Sequence, residues 1–158
     1  MTTHPVTGRD ETEQERLDRN LQEFLGELRV ALPGVQVLFA FLLVVPFNQR
    51  FGEITDFQKT VYFVTLLLTA AASVCLIAPT AQHRVEFRAQ HKEQILFMAN
   101  RLAILGLGFL AIAMTGAILL ITDVLYGSTT TLIVTIAVGL AFAILWYLIP
   151  VRRLVAER

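Results

Sequence analysis

Residues 102–122 read LAILGLGFLAIAMTGAILLIT, an apolar stretch of 21 residues without a charged side chain. A helix of this length is about 30 Å long, which matches the hydrocarbon thickness of a bilayer. Three further stretches, 30–47, 60–78 and 132–149, also lack Asp, Glu, Lys and Arg. One such charge at the bilayer centre costs at least about 2.5–3.5 kcal/mol on insertion scales. The sequence therefore predicts an all-α, polytopic membrane protein with four transmembrane helices.

The composition excludes several other classes of protein. The chain is 55% hydrophobic and only 16% charged, whereas soluble domains average about 25% charged residues. Its net charge is zero, so we expect no nucleic-acid partner. Cys75 is the single cysteine, which rules out a disulfide within one chain and a cysteine-based metal site. We expect neither a metal nor a cofactor.

The domain organisation follows from these stretches and the prolines between them. We expect a disordered tail at 1–10 and a single membrane domain at 11–158. Pro33 should end or sharply bend the first helix, because it lacks an N–H and disfavours a helical residue before it. Within the membrane domain we predict an amphipathic N-terminal helix at 11–32, spans at about 33–47, 60–78, 102–122 and 132–149, and a cytoplasmic helical segment at 80–101. From residue 92 onward, this cytoplasmic segment should continue into span three, so that 92–126 form one helix.

The amphipathic helix has an apolar face with helical spacing, formed by Leu17, Leu21, Phe24, Leu25 and Leu28. Its opposite face is rich in acidic residues. The helix either lies flat on the inner membrane surface or packs its apolar face against another helix. Anionic lipid would repel the acidic face, which favours packing.

The basic residues set the expected orientation. Eleven of the thirteen Lys and Arg residues lie in the N-terminal segment, the loop between spans two and three, and the C-terminal tail. The positive-inside rule places these segments in the cytoplasm. We therefore predict a multi-pass protein of the bacterial inner membrane, with both termini cytoplasmic.

Polar groups inside or beside the spans are the candidate functional residues. Gln36 is the only amide well inside an apolar stretch, and it could coordinate an ion or substrate or hydrogen-bond a neighbouring helix. Asp123 lies at the outer boundary of span three, where an interfacial cap is the simpler interpretation. No carboxylate lies at mid-bilayer, although ion-coupled antiporters generally need one.

A basic stripe precedes span three. Arg84, Arg88 and His91 recur at helical spacing beside His83. The stripe could bind anionic lipid headgroups or a phosphate group, pair with the acidic face of the N-terminal helix, or only anchor the chain on the inner side. Arg29 lies near the same boundary and could pair with Glu27.

Small residues four apart predict close helix contacts, within the bundle or between protomers. These pairs are Ala113/Ala117, Ala137/Ala141 and Gly139/Ala143. The sequence shows no nucleophile–base set, P-loop, zinc-protease motif or paired catalytic carboxylates, so we do not expect an enzyme.

Several motifs resemble those of a known family. They are ELRVALPGVQVLFAFLL at 27–43, Val61-Tyr62, Ala78-Pro79, His83-Arg84 followed by Phe87-Arg88, and Asp123-Val124. Over about 15–150 the chain resembles an actinobacterial family of small four-span membrane proteins catalogued as a domain of unknown function. Some of its members carry the label sodium:proton antiporter. The resemblance implies the four-span architecture and marks Gln36, Arg29, His83, Arg84 and Arg88 as positions to mutate.

The preferred hypothesis is a non-enzymatic assembly or interaction protein that forms a homo-oligomeric helical bundle in the lipid bilayer. The alternative is a small ion or solute transporter or channel, similar to a sodium:proton antiporter and acting as an oligomer. A sensor of lipid headgroups through the Arg84/Arg88 stripe is a third hypothesis.

Overall fold

The computed structural model describes residues 13–85 and 92–156, and every long element in these ranges is a helix. Helix α1 spans Glu13–Val44, α2 spans Asp56–Val85, and α3 spans Lys92–Leu125. Two short 3₁₀ turns, Val45–Phe47 and Gln49–Glu53, connect α1 to α2. Helix α4 spans Ser128–Phe142 and continues through a π-helical segment, Ala143–Leu148, into α5 at Ile149–Ala156.

Four helical segments are long and apolar enough to cross a bilayer: Gln22–Phe47, Asp56–Ala81, Phe97–Leu125 and Ser128–Arg152. This confirms the predicted all-α, polytopic class. The predicted helix over 92–126 also agrees with α3 within one residue. The disordered tail predicted at 1–10 lies outside the described residues.

The prolines do not end the helices where the sequence suggested. The sequence predicted that Pro33 would either end the first helix or bend it sharply. The structure excludes that the helix ends there, because α1 continues through Pro33 to Val44. Residues 13–32 of the predicted N-terminal helix and residues 33–44 of the predicted first span are therefore parts of one helix. Helix α2 likewise continues through Pro79 to Val85, and α5 includes Pro150.

Helices α2 and α3 form the centre of the fold as an antiparallel pair. Three contacts give the register: Gln58 with Asp123, Thr65 with Gly116, and Leu76 with Gly106. The buried positions of α2 alternate at spacings of four and three, as in the seam of a coiled coil. They are Gln58, Tyr62, Thr65, Thr69, Ala72, Leu76 and Pro79. Helix α3 presents a matching seam, Ala99, Ala103, Gly106, Leu110 and Ala113.

Small side chains bring this pair close together. A Cβ atom at Gly106 would lie 2.8 Å from Leu76 Cγ and 3.1 Å from Cys75 Cβ. A Cβ at Gly116 would collide with Thr65 Oγ1. Close backbone approach is the usual basis of helix association in lipid, where the solvent gives little hydrophobic driving force.

Helix α1 packs against α2 and, less extensively, against α3. Its buried residues Leu28, Val35 and Leu42 are seven apart and so form one line along the helix. Leu28 and Val35 join a core cluster with Leu76 and Ala103. Phe24 and Leu25 are half-buried against the same cluster. Three residues of the predicted N-terminal apolar face, Phe24, Leu25 and Leu28, thus contact protein, whereas the side chains of Leu17 and Leu21 lie outside the described set. Whether the start of this helix lies on the membrane or packs on protein stays open.

Helix α4 lies at the edge of the molecule. Among the described elements its span packs on α3 alone, and it contacts neither α1 nor α2. Thr131 is the buried residue of Ser128–Phe142. The helices thus form an open row, α1 beside α2 and α3, with α4 on the far side of α3.

Candidate functional site: polar groups of the spans

The structure separates the candidate residues predicted from the sequence. Gln36 lies fourteen residues after Gln22 and eleven before Phe47, near the middle of the first span. Asp123 lies near the end of α3 that is joined to α4. Arg29 lies on α1, seven residues before Gln36, and is exposed. These residues therefore do not form one site.

Gln36 is exposed on the surface of α1. Its amide makes no hydrogen bond with any residue in the ranges 13–85 and 92–156. An amide that faces lipid without a partner is costly, because hydrocarbon offers neither donors nor acceptors. Among the described residues, Gln36 is therefore an exposed amide inside a span with no hydrogen-bond partner.

The basic stripe lies largely beyond the described side chains. His83 and Arg84 belong to the last turn of α2, but their side chains are outside the described set. Arg88 lies in the segment 86–91, outside the described residues. The role of this stripe stays a prediction.

Asp123 takes part in a polar link between α2 and α3. Gln58 Nε2 donates a hydrogen bond to Asp123 Oδ2 over 2.9 Å. The side chain of Gln58 is 9% exposed. The carboxylate at the end of α3 thus lies beside the first turn of α2, where the free backbone N–H groups of a helix favour negative charge.

Gln58 also caps its own helix. Thr55 N–H donates to Gln58 Oε1 over 3.0 Å, and Gln58 N–H donates to Thr55 Oγ1 over 3.2 Å. This reciprocal pair is a capping box. One amide side chain therefore satisfies the N-terminus of α2 and binds the carboxylate on α3. The sequence analysis missed Gln58, although the spacing Thr55-x-x-Gln58 before an apolar stretch is a recognisable capping signal.

We predict that Gln58→Leu lowers the free energy of unfolding by about 1–2 kcal/mol, since it removes a cap and a hydrogen bond to a carboxylate. Asp123→Asn keeps an acceptor oxygen and should cost less. Unfolding in mixed micelles, followed by circular dichroism, measures both. Gln49→Leu removes an exposed amide outside the helices and serves as the control. An equal loss in Gln49→Leu would contradict the assigned role of Gln58.

A second cross-helix contact joins α4 to α3. Tyr147 Oη donates to the carbonyl of Ile104 over 3.0 Å. A Cβ atom at Gly108 would lie 2.8 Å from Tyr147 Oη, so the glycine leaves room for the hydroxyl in this position. Tyr147 lies in the π-helical segment, and such wide turns change the direction of side chains within a helix.

Hydroxyls inside the spans mostly bond to the backbone of their own helix. Thr69, Ser73 and Thr115 each donate to the carbonyl four residues earlier. Thr135 differs, because its Oγ1 is buried and has no hydrogen-bond partner in the described part of the chain. Within the described ranges, no group of three or more His, Cys, Asp or Glu side chains could hold a metal ion.

A family model matches residues 10–150 of this chain. The chain belongs to the DUF6328 family, a family of unknown function. This confirms the resemblance to a domain of unknown function. Comparison with curated proteins and with solved structures gives no match. The family match assigns no activity, so the function of this DUF6328 member has to be proposed from its geometry.

Proposed function

We propose that this DUF6328 member is a non-enzymatic membrane protein that works as a homo-oligomeric assembly of four-span units. The observation that carries the proposal is the open row of helices. In a closed four-helix bundle each helix packs on two neighbours. Here α4 packs on α3 alone, and α1 and α4 do not meet within the described part of the chain. A second copy can supply the missing contacts.

The small-residue pairs support this interpretation. Ala113 is buried and Ala117 half-buried, so this pair is used within the monomer. Ala137 and Ala141 are exposed on α4. Outward small residues allow close approach of another helix in lipid.

The proposed location is the bacterial inner membrane, with both termini in the cytoplasm. The distribution of Lys and Arg among the loops supports this orientation. In that orientation the exposed Arg29 lies near the cytoplasmic surface, where it can contact anionic headgroups together with His83, Arg84 and Arg88.

We predict that the protein, purified in mild detergent and in lipid nanodiscs, has a protein mass equal to two or more copies of the 17.6 kDa chain. Light scattering with correction for bound detergent or lipid measures this mass. A single chain per particle in both environments would contradict the assembly.

The transporter hypothesis is tested in the same preparation. Gln36 faces outward from the monomer, so a path that uses it must form between protomers. Liposomes with sodium, potassium or proton gradients should show no flux if the protein has only an assembly role. Flux that Gln36→Ala abolishes would replace that role with transport.

A further inference from the structure

We propose that a second copy of the chain docks on α1, with two α1 helices parallel about a two-fold axis and Gln36 of one copy hydrogen-bonded to Gln36 of the other. This inference rests on the proposed homo-oligomeric assembly and adds the surface that forms it. The docking face is defined by five exposed residues: Pro33, Gln36, Ala40 and Leu43 on α1, and Phe47 in the 3₁₀ turn that follows α1. It is called the Gln36 face below.

The amide of Gln36 indicates which partner docks on this face. A carboxamide carries an acceptor oxygen and a donor NH₂ group. An identical amide on a two-fold axis can therefore donate to it and accept from it at once. A lipid tail offers neither interaction. Because Gln36 lies six residues inside the charge-free stretch 30–47, headgroups and water are about 9 Å or more away along the helix.

A second polar group on the same side of α1 also lacks its usual partner. In an α-helix the N–H of residue 33 donates to the carbonyl of residue 29, but Pro33 has no N–H. The Arg29 carbonyl is therefore deprived of this donor. Residues 29, 33 and 36 share one face at helical spacing. The backbone of this face therefore carries a second unsatisfied acceptor, about two turns from Gln36 along the helix.

The spacing of the Gln36 face fits a helix partner. Positions 33, 36, 40, 43 and 47 alternate at three and four residues, the same alternation by which α2 packs on α3. The face is separate from the line Leu28, Val35 and Leu42 that packs inside the monomer. Ala40 lies one turn from Gln36 and keeps the approach close.

The symmetry follows from the membrane. All copies insert with the same orientation, so two α1 helices that meet side by side are parallel. A two-fold contact is isologous, which brings each residue near the axis opposite its own copy. Ala40 should therefore face Ala40 of the second copy.

Oxidative cross-linking tests this geometry. In a Cys75→Ala background, Ala40→Cys should form an intermolecular disulfide when membranes are oxidised, since disulfides need Cα atoms within about 7 Å. Phe41→Cys is the matched control, because Phe41 is exposed but points away from the Gln36 face. Cross-linking at Phe41→Cys and not at Ala40→Cys would overturn the proposed face.

A variant of Gln36 tests the hydrogen bond without a new cysteine. Gln36→Leu should weaken association in lipid by about three- to thirtyfold for each of the two reciprocal hydrogen bonds that it removes. Gln49→Leu, which removes an exposed amide outside the helix, should leave association unchanged. Förster transfer between labelled copies at increasing lipid dilution measures the association constant of each variant.

The outcomes separate this inference from the proposed function. Two results together would overturn the Gln36 face and leave the assembly intact. Oligomers would cross-link through Ala141→Cys on α4, and the Gln36→Leu variant would associate as strongly as the unaltered chain. A chain that is monomeric at every lipid dilution would overturn both.

Discussion

Gly106→Val is expected to lower the free energy of unfolding by about 1–3 kcal/mol, the usual cost of forcing extra atoms into a packed interface. A Cβ at this position would lie 2.8 Å from Leu76 Cγ, 2.9 Å from Leu76 Cδ2 and 3.1 Å from Cys75 Cβ. The two γ-methyl groups of valine add to this overlap. The seam of α2 and α3 must then widen, and every contact along it weakens. Denaturation in mixed micelles measures the change.

Gly34→Val is the matched control for this substitution. Gly34 is also inside a helix, but nothing lies within 4 Å of the Cβ it would acquire. The two variants change helix propensity equally, so the difference between them reports the close contact. Leu76→Ala should offset part of the loss in Gly106→Val, because it removes the atoms that the valine meets. Equal stabilities of Gly106→Val and Gly34→Val would contradict the tight α2–α3 interface.

Tyr62→Phe is expected to cost about 1–3 kcal/mol, the penalty for leaving a buried carbonyl unpaired. Tyr62 is 6% exposed, and its hydroxyl donates to the carbonyl of Leu42 over 2.8 Å. The residue four positions after Leu42 is Pro46, which has no N–H to offer that carbonyl. Leu42 is also buried, so water does not readily replace the lost donor. The ring remains, so its edge contact with Phe51 is kept.

A double-mutant cycle separates this role from simple packing. Pro46→Ala supplies a backbone N–H near the end of α1, and in that background Tyr62→Phe should cost clearly less. Tyr126→Phe, at an exposed tyrosine, should be nearly neutral. If the cost of Tyr62→Phe is the same with Pro46 and with alanine at position 46, the carbonyl is not what the hydroxyl stabilises.

The four helices could be predicted from the sequence because the bilayer imposes a simple rule. Charge-free stretches such as 102–122 have to be helices in lipid, where every backbone group needs a partner. The long helix that contains this stretch was predicted as 92–126 and observed as Lys92–Leu125.

The effect of the prolines on the helices could not be predicted by the same reasoning. Rules derived in water let a helix stop at Pro33 or Pro79, since solvent satisfies the free backbone groups. In a membrane a helix end is costlier than one missing hydrogen bond, so α1 and α2 continue. At Pro150 the π-helical turns Ala143–Leu148 end two positions before the proline. These wide turns relieve the contact between the proline ring and the preceding carbonyl.

The polar contacts were predictable only in part. The capping signal of Thr55 and Gln58 is visible in the sequence, but the link from Gln58 to Asp123 depends on the register of α2 against α3. That register is set by Gly106 and Gly116, whose close approaches appear only once both helices are placed. Gln36 was recognised as an unusual residue, while its outward position required the line of Leu28, Val35 and Leu42 to be known.

The most direct test of the architecture is the accessibility of single cysteines to a membrane-impermeant thiol reagent in intact cells. In a Cys75→Ala background the variants are Arg19→Cys, Gln49→Cys, Tyr126→Cys and Ala156→Cys, all at exposed positions near helix ends or loops. Four crossings with cytoplasmic termini predict labelling of Gln49→Cys and Tyr126→Cys in intact cells, and of the other two only after permeabilisation. Labelling that places Gln49→Cys and Tyr126→Cys on opposite faces, or Arg19→Cys and Ala156→Cys on opposite faces, would contradict the four-span fold.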